Sequence, residues 1–284
     1  MNILSIQSHV TYGHVGNSAA VFALQRLGCE VWPINTVQLS NHTGYDTWKG
    51  QVFSAGHIAD LVHGLDDRGA LAVCDGVLSG YMGSVPIGEA ILGAALRVKA
   101  ANAKARYCCD PVIGNRTRGQ FVDPGIAEFM RERAVAAADI VTPNHFELDR
   151  LTGRDTASLA DIVAAVAVIR AAGPGTVLVT SVQSNETPSD AIDVIAANAS
   201  RSHLVRTPRL DSPANGAGDL MAALFLFHLL CGADVAAALG DATSSVFGVL
   251  RRTHQAATPE MALIEAQQEL VAPSRRFTPR PIEP

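Results

Sequence analysis

Residues 140–153 read IVTPNHFELDRLTG, a short apolar run, a Pro-Asn turn and a mixed apolar and polar stretch that stops at a glycine. We predict a short strand over Ile140–Thr142 and a helix over Phe146–Leu151, ended by Gly153, because glycine is favoured just beyond helix ends. A strand followed by helices and a further strand is typical of a parallel α/β sheet. The next predicted helix and strand are Leu159–Ala172 and Thr176–Thr180.

The same alternation runs along the rest of the chain. We predict further strands at Asn2–Gln7, Glu30–Thr36, Ala70–Cys74 and Arg106–Cys109. We predict further helices at Asn17–Leu27, Ala55–Leu65, Val85–Asn102 and Pro124–Arg133. We expect a hairpin over the ligand-binding edge at Asp190–Thr207 and the most apolar helix at Leu220–Cys231. Two closing helices are expected at Val235–Leu250 and Glu260–Leu270. The short apolar strands indicate one α/β domain over residues 1–270, with a mostly parallel sheet covered by helices on both faces, and a loose proline-rich tail at 271–284.

Composition excludes several classes of protein. With 48% hydrophobic and 17% charged residues among 284, the chain can bury a large core and is not disordered. A net charge of −5 without a basic block argues against a nucleic-acid partner. The start MNILSIQSHV has no basic n-region, and the longest apolar run, Leu220–Cys231, is too short to span a membrane. We therefore expect a cytoplasmic protein with no membrane partner.

The cysteines favour the same compartment. Their number, five, is odd, no C-x-x-C spacing occurs, and all lie in or beside apolar stretches, so we predict buried, reduced thiols. Cys108 and Cys109 should point to opposite faces of their strand. The other three are Cys29, Cys74 and Cys231.

Polar residues follow the predicted strands. Ligands of α/β sheets bind outside the carboxyl ends of the strands, so these residues are candidates for a site. They are Ser8-His9, Gln38 to Tyr45, Asp75 to Tyr81, Asp110-Pro111, Pro143-Asn144 and Thr180-Ser181.

The segment Asn215–Leu220, NGAGDL, opens the most apolar helix. Its glycines would let backbone N–H groups approach a phosphate, and Asp219 could deprotonate a hydroxyl beside them. The alternative is a plain glycine-rich loop with an acidic residue that the helix dipole favours.

Two more acidic residues have two interpretations each. Glu147, near a strand end, could hold a metal-bound water, or it could cap the helix it begins. Asp110, before a proline, is either a turn former or a carboxylate that faces a cation. His9, His14 and His42 lie near the N-terminus and could line a polar pocket or lie in surface loops. Metal binding is a third alternative, for which their spacing gives little support.

Six segments together resemble the pyridoxal kinases of the ribokinase-like superfamily. The N-terminal ones are SHVTYGHVGN at Ser8–Asn17, SNHTGY at Ser40–Tyr45 and SGY at Ser79–Tyr81. The others are CDPV at Cys109–Val112, TPN-x-x-E at Thr142–Glu147 and G-x-GD at Gly216–Asp219. The resemblance covers residues 2 to about 270, and it implies a three-layer ribokinase-like fold.

The resemblance implies ATP-dependent phosphorylation of the 5′-hydroxymethyl group of pyridoxal, pyridoxine or pyridoxamine. Asp219 would be the base, with the N–H groups of Gly216, Ala217, Gly218 and Asp219 as an anion hole. Asp110, Thr142 and Glu147 would arrange Mg²⁺ and its waters, with a monovalent cation such as K⁺ near the first two.

The resemblance also assigns the two substrates. For pyridoxal it names Ser8, His42, Thr43, Gly44 and Tyr81. For the nucleotide it names Thr180, Ser181, Thr207, Pro208, Arg209 and Leu210. The loop Asp211–Ala214 before the anion hole is shorter than in some relatives. The family is generally homodimeric.

Two other functions compete with this one. A hydroxymethylpyrimidine kinase shares the scaffold and the Asp base, but the SNHTGY segment weighs against it. A non-catalytic binder or reservoir of pyridoxal phosphate is the other, and the intact GAGD segment weighs against that.

Overall fold

The computed structural model describes residues 1–210 and 215–283, and within them one ten-stranded sheet forms the centre of the molecule. Its strand order is β12-β11-β10-β9-β8-β5-β4-β1-β2-β3, and a small two-stranded sheet, β6-β7, lies apart. The strands are β1 Asn2–Val10, β2 Glu30–Leu39, β3 Gly50–Val52, β4 Gly76–Ser79, β5 Arg106–Cys109, β6 Gly114–Asn115, β7 Gly119–Gln120, β8 Ile140–Val141, β9 Thr176–Val182, β10 Ala191–Ala197, β11 Ser202–Pro208 and β12 Arg280–Ile282.

The central strands β2, β1, β4, β5, β8 and β9 are parallel, whereas β3 and β10 to β12 are antiparallel additions at the two edges. The mostly parallel sheet predicted from the strand and helix alternation is therefore confirmed. All six parallel strands end at one edge of the sheet, where α/β proteins bind their ligands.

Helices cover both faces of the sheet. One face carries α2, α3, α4, α6 and α7, and the other carries α1, α8, α9 and α10, each packed through its apolar side chains. The helices are α1 Asn17–Arg26, α2 Ala55–Asp67, α3 Val85–Ala101, α4 Pro124–Phe129, α5 Val135–Ala137, α6 His145–Thr152, α7 Leu159–Ala171, α8 Ala217–Leu230, α9 Val235–Ala256 and α10 Gln267–Val271.

The sheet separates two hydrophobic cores. Cys108 belongs to the α8 side and Cys109 to the α3 side, as the alternation along a strand predicts. Helix α8 is apolar all round, with Leu220, Leu224 and Phe225 fully buried, because it is packed between the sheet and its neighbouring helices. The prediction of buried thiols is wrong for Cys231, which is exposed at the end of this helix.

The apolar run Ala70–Cys74 is not a strand. Ala70–Val73 forms a 3₁₀ turn after Gly69, whose φ is 70°, and Val73 is 56% exposed. The strand lies two residues further on, at Gly76–Ser79, where it pairs with both β1 and β5. Its position depends on these partners, which are distant in the sequence, rather than on local hydrophobicity.

Three expectations near the C-terminus are also wrong. The Asp190–Thr207 hairpin extends the main sheet beside β9 and does not lie over the site. Only Gln267–Val271 of the predicted Glu260–Leu270 helix is regular. The tail is not loose, because Arg280–Ile282 pairs with β11 and Phe277 packs edge-on against Phe247. The short loop Asp211–Ala214 and Pro284 lie outside the described residues.

No helix among residues 1–210 and 215–283 is long and apolar enough to cross a membrane.

Candidate active site

A cavity of about 240 Å³ opens at the carboxyl edge of the sheet, and it collects most of the residues that the sequence singles out. Its wall is formed by the ends of β1, β2 and β9, by the segments that follow β1, β2, β4, β5 and β8, and by the start of α8. The predicted site residues that line it are Ser8, His42, Thr43, Tyr81, Asp110, Thr142, Glu147, Thr180, Gly216, Gly218 and Asp219.

The start of α8 places Asp219 in this cavity. Gly216 is the N-cap with a φ of 93°, and a Cβ there would lie 1.9 Å from the carbonyl oxygen of His14, so only glycine fits. Asp219 lies in the first turn of α8, where the backbone N–H groups of Gly16 and of Asp219 itself lower the pKa of its carboxylate. Burial is the larger effect and raises the pKa of Asp219 to about 6.

Glu147 both caps α6 and faces the cavity. Its Oε1 accepts from the N–H groups of Ile113 at 2.9 Å and Gly114 at 3.3 Å, and its Oε2 accepts from the N–H of Asn144 at 2.8 Å. Burial raises the pKa of Glu147 to about 7, although these hydrogen bonds lower it. The helix-cap interpretation is therefore correct, and it does not exclude a role in the cavity.

Asp110 lies at the end of β5 with its carboxylate towards the other two acids. The Thr142 hydroxyl donates to its Oδ1 at 3.1 Å. Burial, and then the charges of Glu147 and Asp219, raise the pKa of Asp110 well above its usual range. Three carboxyl groups thus share one buried pocket and disfavour each other's ionisation, an arrangement that a bound cation would relieve.

These donors fit a hard cation held mostly through water. Among the described residues no cluster of three or more His, Cys, Asp or Glu side chains could enclose a metal ion. Mg²⁺ usually keeps several waters and uses one or two carboxylates beside substrate phosphates, so a sparse acidic set is what it needs. The alternative of a metal site at His9, His14 and His42 is wrong, because these imidazoles form no such cluster.

The other half of the cavity suits a flat heteroaromatic ring. Ser8, Thr43 and Tyr81 supply polar groups, and the apolar part of the wall consists of Val10, Val15, Val37 and Leu39. The Nδ1 of His42 accepts from the N–H of Gly44 at 3.0 Å, so the neutral ring carries its proton on Nε2. Burial, and then the nearby charge of Arg118, lower the pKa of His42. Gly44 itself is exposed and does not line the cavity.

The residues predicted for the nucleotide lie along the same edge of the sheet. Strands β9 and β11 are both antiparallel to β10, so Thr180 and Ser181, near the end of β9, lie at the same edge as Thr207 and Pro208, which end β11. Ser181 has a φ of 53°, which is unusual for a residue with a side chain. Of the nucleotide set only Thr180 borders the cavity, and Ser181, Thr207, Pro208, Arg209 and Leu210 stay predictions, as does Ala217.

Several residues of the cavity were missed by sequence reasoning. Phe121 and Asn115 reach it from the β6–β7 region. Asn144, which the sequence singled out only as a residue that follows a strand, reaches it from the N-cap of α6. Gly16 contributes a backbone N–H to Asp219, a role that no side-chain pattern shows. Asn144 carried a detectable signal, since Asn followed by Glu three positions later is typical of a capping box.

Residues 72–261 match the family described as Phosphomethylpyrimidine kinase. This family match, together with the three-layer fold and the glycine turn before Asp219, defines the class of the protein. It is a phosphotransferase with the ribokinase-like fold.

The curated relatives narrow the class. The chain is 55% identical over 281 residues to pyridoxal kinase PdxY of Granulibacter bethesdensis, with 98% of both chains covered. It is 53% identical over 281 residues to the enzyme of the same name from Rubrobacter xylanophilus, covering 99% of this chain and 97% of that one. A solved pyridoxal kinase from Leishmania donovani, in complex with ADP and pyridoxamine, matches with a TM-score of 0.92 at 28% identity over 99% of each chain. The chain therefore belongs to the pyridoxal kinase family.

Proposed function

We propose that this protein transfers the γ-phosphoryl group of ATP to the 5′-hydroxymethyl group of pyridoxal, and also of pyridoxine and pyridoxamine. The observation that carries the proposal is the position of Asp219, which shares one cavity with Ser8, His42, Thr43 and Tyr81. A base beside a helix N-terminus and a ring pocket in the same cavity are what phosphorylation of a ring-borne hydroxyl requires.

The chemistry asks for positioning and charge stabilisation rather than covalent work. The ring pocket holds the vitamer so that its hydroxymethyl group points at the start of α8, where Asp219 accepts the hydroxyl proton at its carboxylate. The N–H groups of Gly216, Ala217 and Gly218 stabilise negative charge on the transferred group. Thr180, Ser181 and Thr207 to Leu210 would orient the nucleotide along the strand ends.

Asp110, Thr142 and Glu147 would hold Mg²⁺ and its waters, with K⁺ or another monovalent cation near Asp110 and Thr142. These cations supply positive charge that neutralises the triphosphate and the developing negative charge. The three mutually repelling carboxyl groups support this role, because without a cation their ionisation is disfavoured.

A coupled ADP-release assay with separate acceptors tests the proposal. Pyridoxal, pyridoxine and pyridoxamine should each stimulate ADP release, and hydroxymethylpyrimidine should do so much less. A second candidate, hydroxymethylpyrimidine kinase, is favoured by the family description alone. Preference for the pyrimidine would establish that function instead, and tight binding of pyridoxal phosphate without ADP release would establish a reservoir.

We further propose a homodimer that acts in the cytoplasm on small molecules, without a nucleic-acid or membrane partner. Sedimentation of the purified protein at micromolar concentration should give twice the 29.8 kDa chain mass. A single-chain mass would refute the dimer without affecting the proposed reaction.

A further inference from the structure

Glu260 is a buried acid that lies behind the candidate active site and takes no part in the chemistry proposed above. It is 7% exposed and sits between α9 and α10, in a segment fixed by its neighbours. Met261 and Leu263 on either side of Ala262 are buried in the core, and the N–H of Ala262 donates to the hydroxyl of Thr253 on α9 at 3.0 Å. These contacts fix the backbone at this point, so the Glu260 side chain has a defined position.

The carboxylate of Glu260 contacts two loops that are far apart in the sequence. Its Oε1 accepts the phenolic proton of Tyr45 at 2.5 Å. Its Oε2 is buried, lacks a hydrogen-bond partner and lies against Gly13, where a Cβ would be only 2.0 Å from it. Gly13 has a φ of 96°, a conformation that favours glycine, and the lack of a side chain there leaves room for the carboxylate.

These two loops carry different halves of the cavity. The loop of Tyr45 also carries His42 and Thr43, which line the ring pocket. The loop of Gly13 continues to Gly16, whose backbone N–H lies close enough to the carboxylate of Asp219 to lower its pKa. The carbonyl oxygen of His14, in the same loop, lies against Gly216.

The loops are also joined directly at their bases. The N–H of Thr11 donates to the carbonyl of Leu39, and the N–H of Tyr12 donates to the carbonyl of Ser40, both at 2.8 Å. The rings of Tyr12 and Tyr45 lie 6.4 Å apart, centroid to centroid. Glu260 fixes the far ends of the loops, so that they are held at the base and at the tip.

We propose that Glu260 is a positioning residue that fixes the ring-binding loop, residues 40–45, relative to the loop of residues 11–16 that orients Asp219. This role rests on the proposed function. Correct placement of the pyridoxal ring then depends on the carboxylate of Glu260, which also holds the loop beside the base, Asp219.

The proposed role differs from a merely structural one in what it does to kinetics. A residue that only stabilises the fold would, when changed, lower the amount of active protein and hence kcat, with both KM values unchanged. Loss of a loop tie should instead raise KM for pyridoxal, because ordering of residues 40–45 must then accompany substrate binding. KM for ATP should not follow, because the predicted nucleotide residues lie on β9 and β11.

Three variants test the contact between Glu260 and Tyr45: Glu260→Gln, Tyr45→Phe and the double variant. The control is Glu89→Gln, which removes the charge of an exposed carboxylate paired with Arg133 on the outer surface. Each single variant should raise KM for pyridoxal about tenfold, since a hydrogen bond to a charged group is lost. KM for ATP should stay within about twofold, and the double variant should be no worse than the poorer single one, because both changes remove the same contact.

Hydrogen exchange provides a second test, which does not depend on enzymatic activity. The amides of Thr11, Tyr12 and Ser40 should exchange faster in Glu260→Gln and in Tyr45→Phe than in the parent and in Glu89→Gln. Unchanged exchange at these amides, additive losses in the double variant, or a lower kcat with unchanged KM for pyridoxal would each overturn the proposal. Should Glu260→Gln fail to fold, Tyr45→Phe alone decides. A parent protein without pyridoxal-dependent ADP release would refute the proposed function, while the exchange data would still decide whether Glu260 holds the two loops.

Discussion

Glu147 and Asn144 cap the same helix end reciprocally. The N–H of Asn144 donates to Oε2 of Glu147 at 2.8 Å, and the N–H of Glu147 donates to Oδ1 of Asn144 at 3.0 Å. This pair fixes the start of α6 at the point where the chain enters the cavity. The carboxylate of Glu147 therefore both caps α6 and is a candidate outer ligand of a cation. Three backbone N–H groups set its orientation.

We predict that Glu147→Gln weakens the dependence on Mg²⁺ more than the binding of pyridoxal. The amide keeps the shape and part of the cap but loses the charge, and loss of an outer ligand typically costs about 10- to 100-fold in metal affinity. Titration of Mg²⁺ at fixed ATP measures the effect. Asp161→Asn is the matched control, because Asp161 forms the same kind of capping box with Ser158 at the exposed start of α7, outside the cavity. Equal Mg²⁺ half-saturation and kcat in the Glu147 variant and the parent would leave Glu147 as a cap only.

We predict that Thr43→Val impairs vitamer binding and spares nucleotide binding. Thr43 is exposed at the cavity mouth, where we expect a bound ring to cover it. The change preserves shape and removes a hydroxyl, so an unpaired partner on the vitamer should cost about 1–3 kcal/mol in kcat/KM for pyridoxal. Steady-state kinetics with each substrate varied in turn provide the test, with Thr47→Val as a neighbouring control. A raised KM for ATP with an unaltered KM for pyridoxal would contradict the assignment.

We predict that, without divalent cations, the protein loses stability as pH rises from about 5 to 8. Carboxyl groups titrate near pH 4 in unfolded chains, whereas burial raises the pKa of Asp219 to about 6 and that of Glu147 to about 7. The folded state then binds more protons than the unfolded state between these values. Its extra stability is complete below about pH 4 and disappears as pH rises through the folded-state pKa values.

Urea unfolding in EDTA at several pH values measures this effect for the parent and for Asp219→Asn. The free energy of unfolding of the variant should fall less steeply between pH 4 and 7, since one of the titrating groups is gone. Parallel curves for the two proteins would show that Asp219 is not protonated on folding. Addition of Mg²⁺ should stabilise the parent more at pH 7.5 than at pH 5.5, because protonated carboxyl groups bind it poorly.

Sequence patterns were sufficient for the elements whose signals are local. The strand Arg106–Cys109 was predicted with its exact bounds, and the helix beginning at Val85 was placed within one residue, because hydrophobic runs and turn residues mark their ends. The strand Gly76–Ser79 was missed because it is short and is defined by its pairing with Ile3–Ile6 on one side and β5 on the other. The C-terminal strand was missed because prolines usually argue against a strand, yet Pro281 is tolerated at the sheet edge.

The candidate site divides in the same way. Their positions at strand and helix ends made Asp110, Glu147 and Asp219 candidates, and the resemblance to the pyridoxal kinases selected them over the structural alternatives. The contact of Gly16 with Asp219 and that of Glu260 with Tyr45 could not be predicted, since each joins segments about 200 residues apart and involves either a backbone atom or a residue outside any motif.

The central claim is that Asp219 is the base for the hydroxyl of the vitamer, and one variant tests it most directly. Asp219→Asn keeps the size and the helix-start position of the side chain, so the melting temperature should not fall and ATP binding should change little. It cannot accept the proton, and general bases typically contribute 10²–10⁴-fold, so kcat should fall by about 10²-fold or more. The effect should lie at the lower end because the transition state of phosphoryl transfer is loose. A kcat within about threefold of the parent, measured with pyridoxal at saturating ATP on a folded variant, would contradict the assignment of Asp219 as the base.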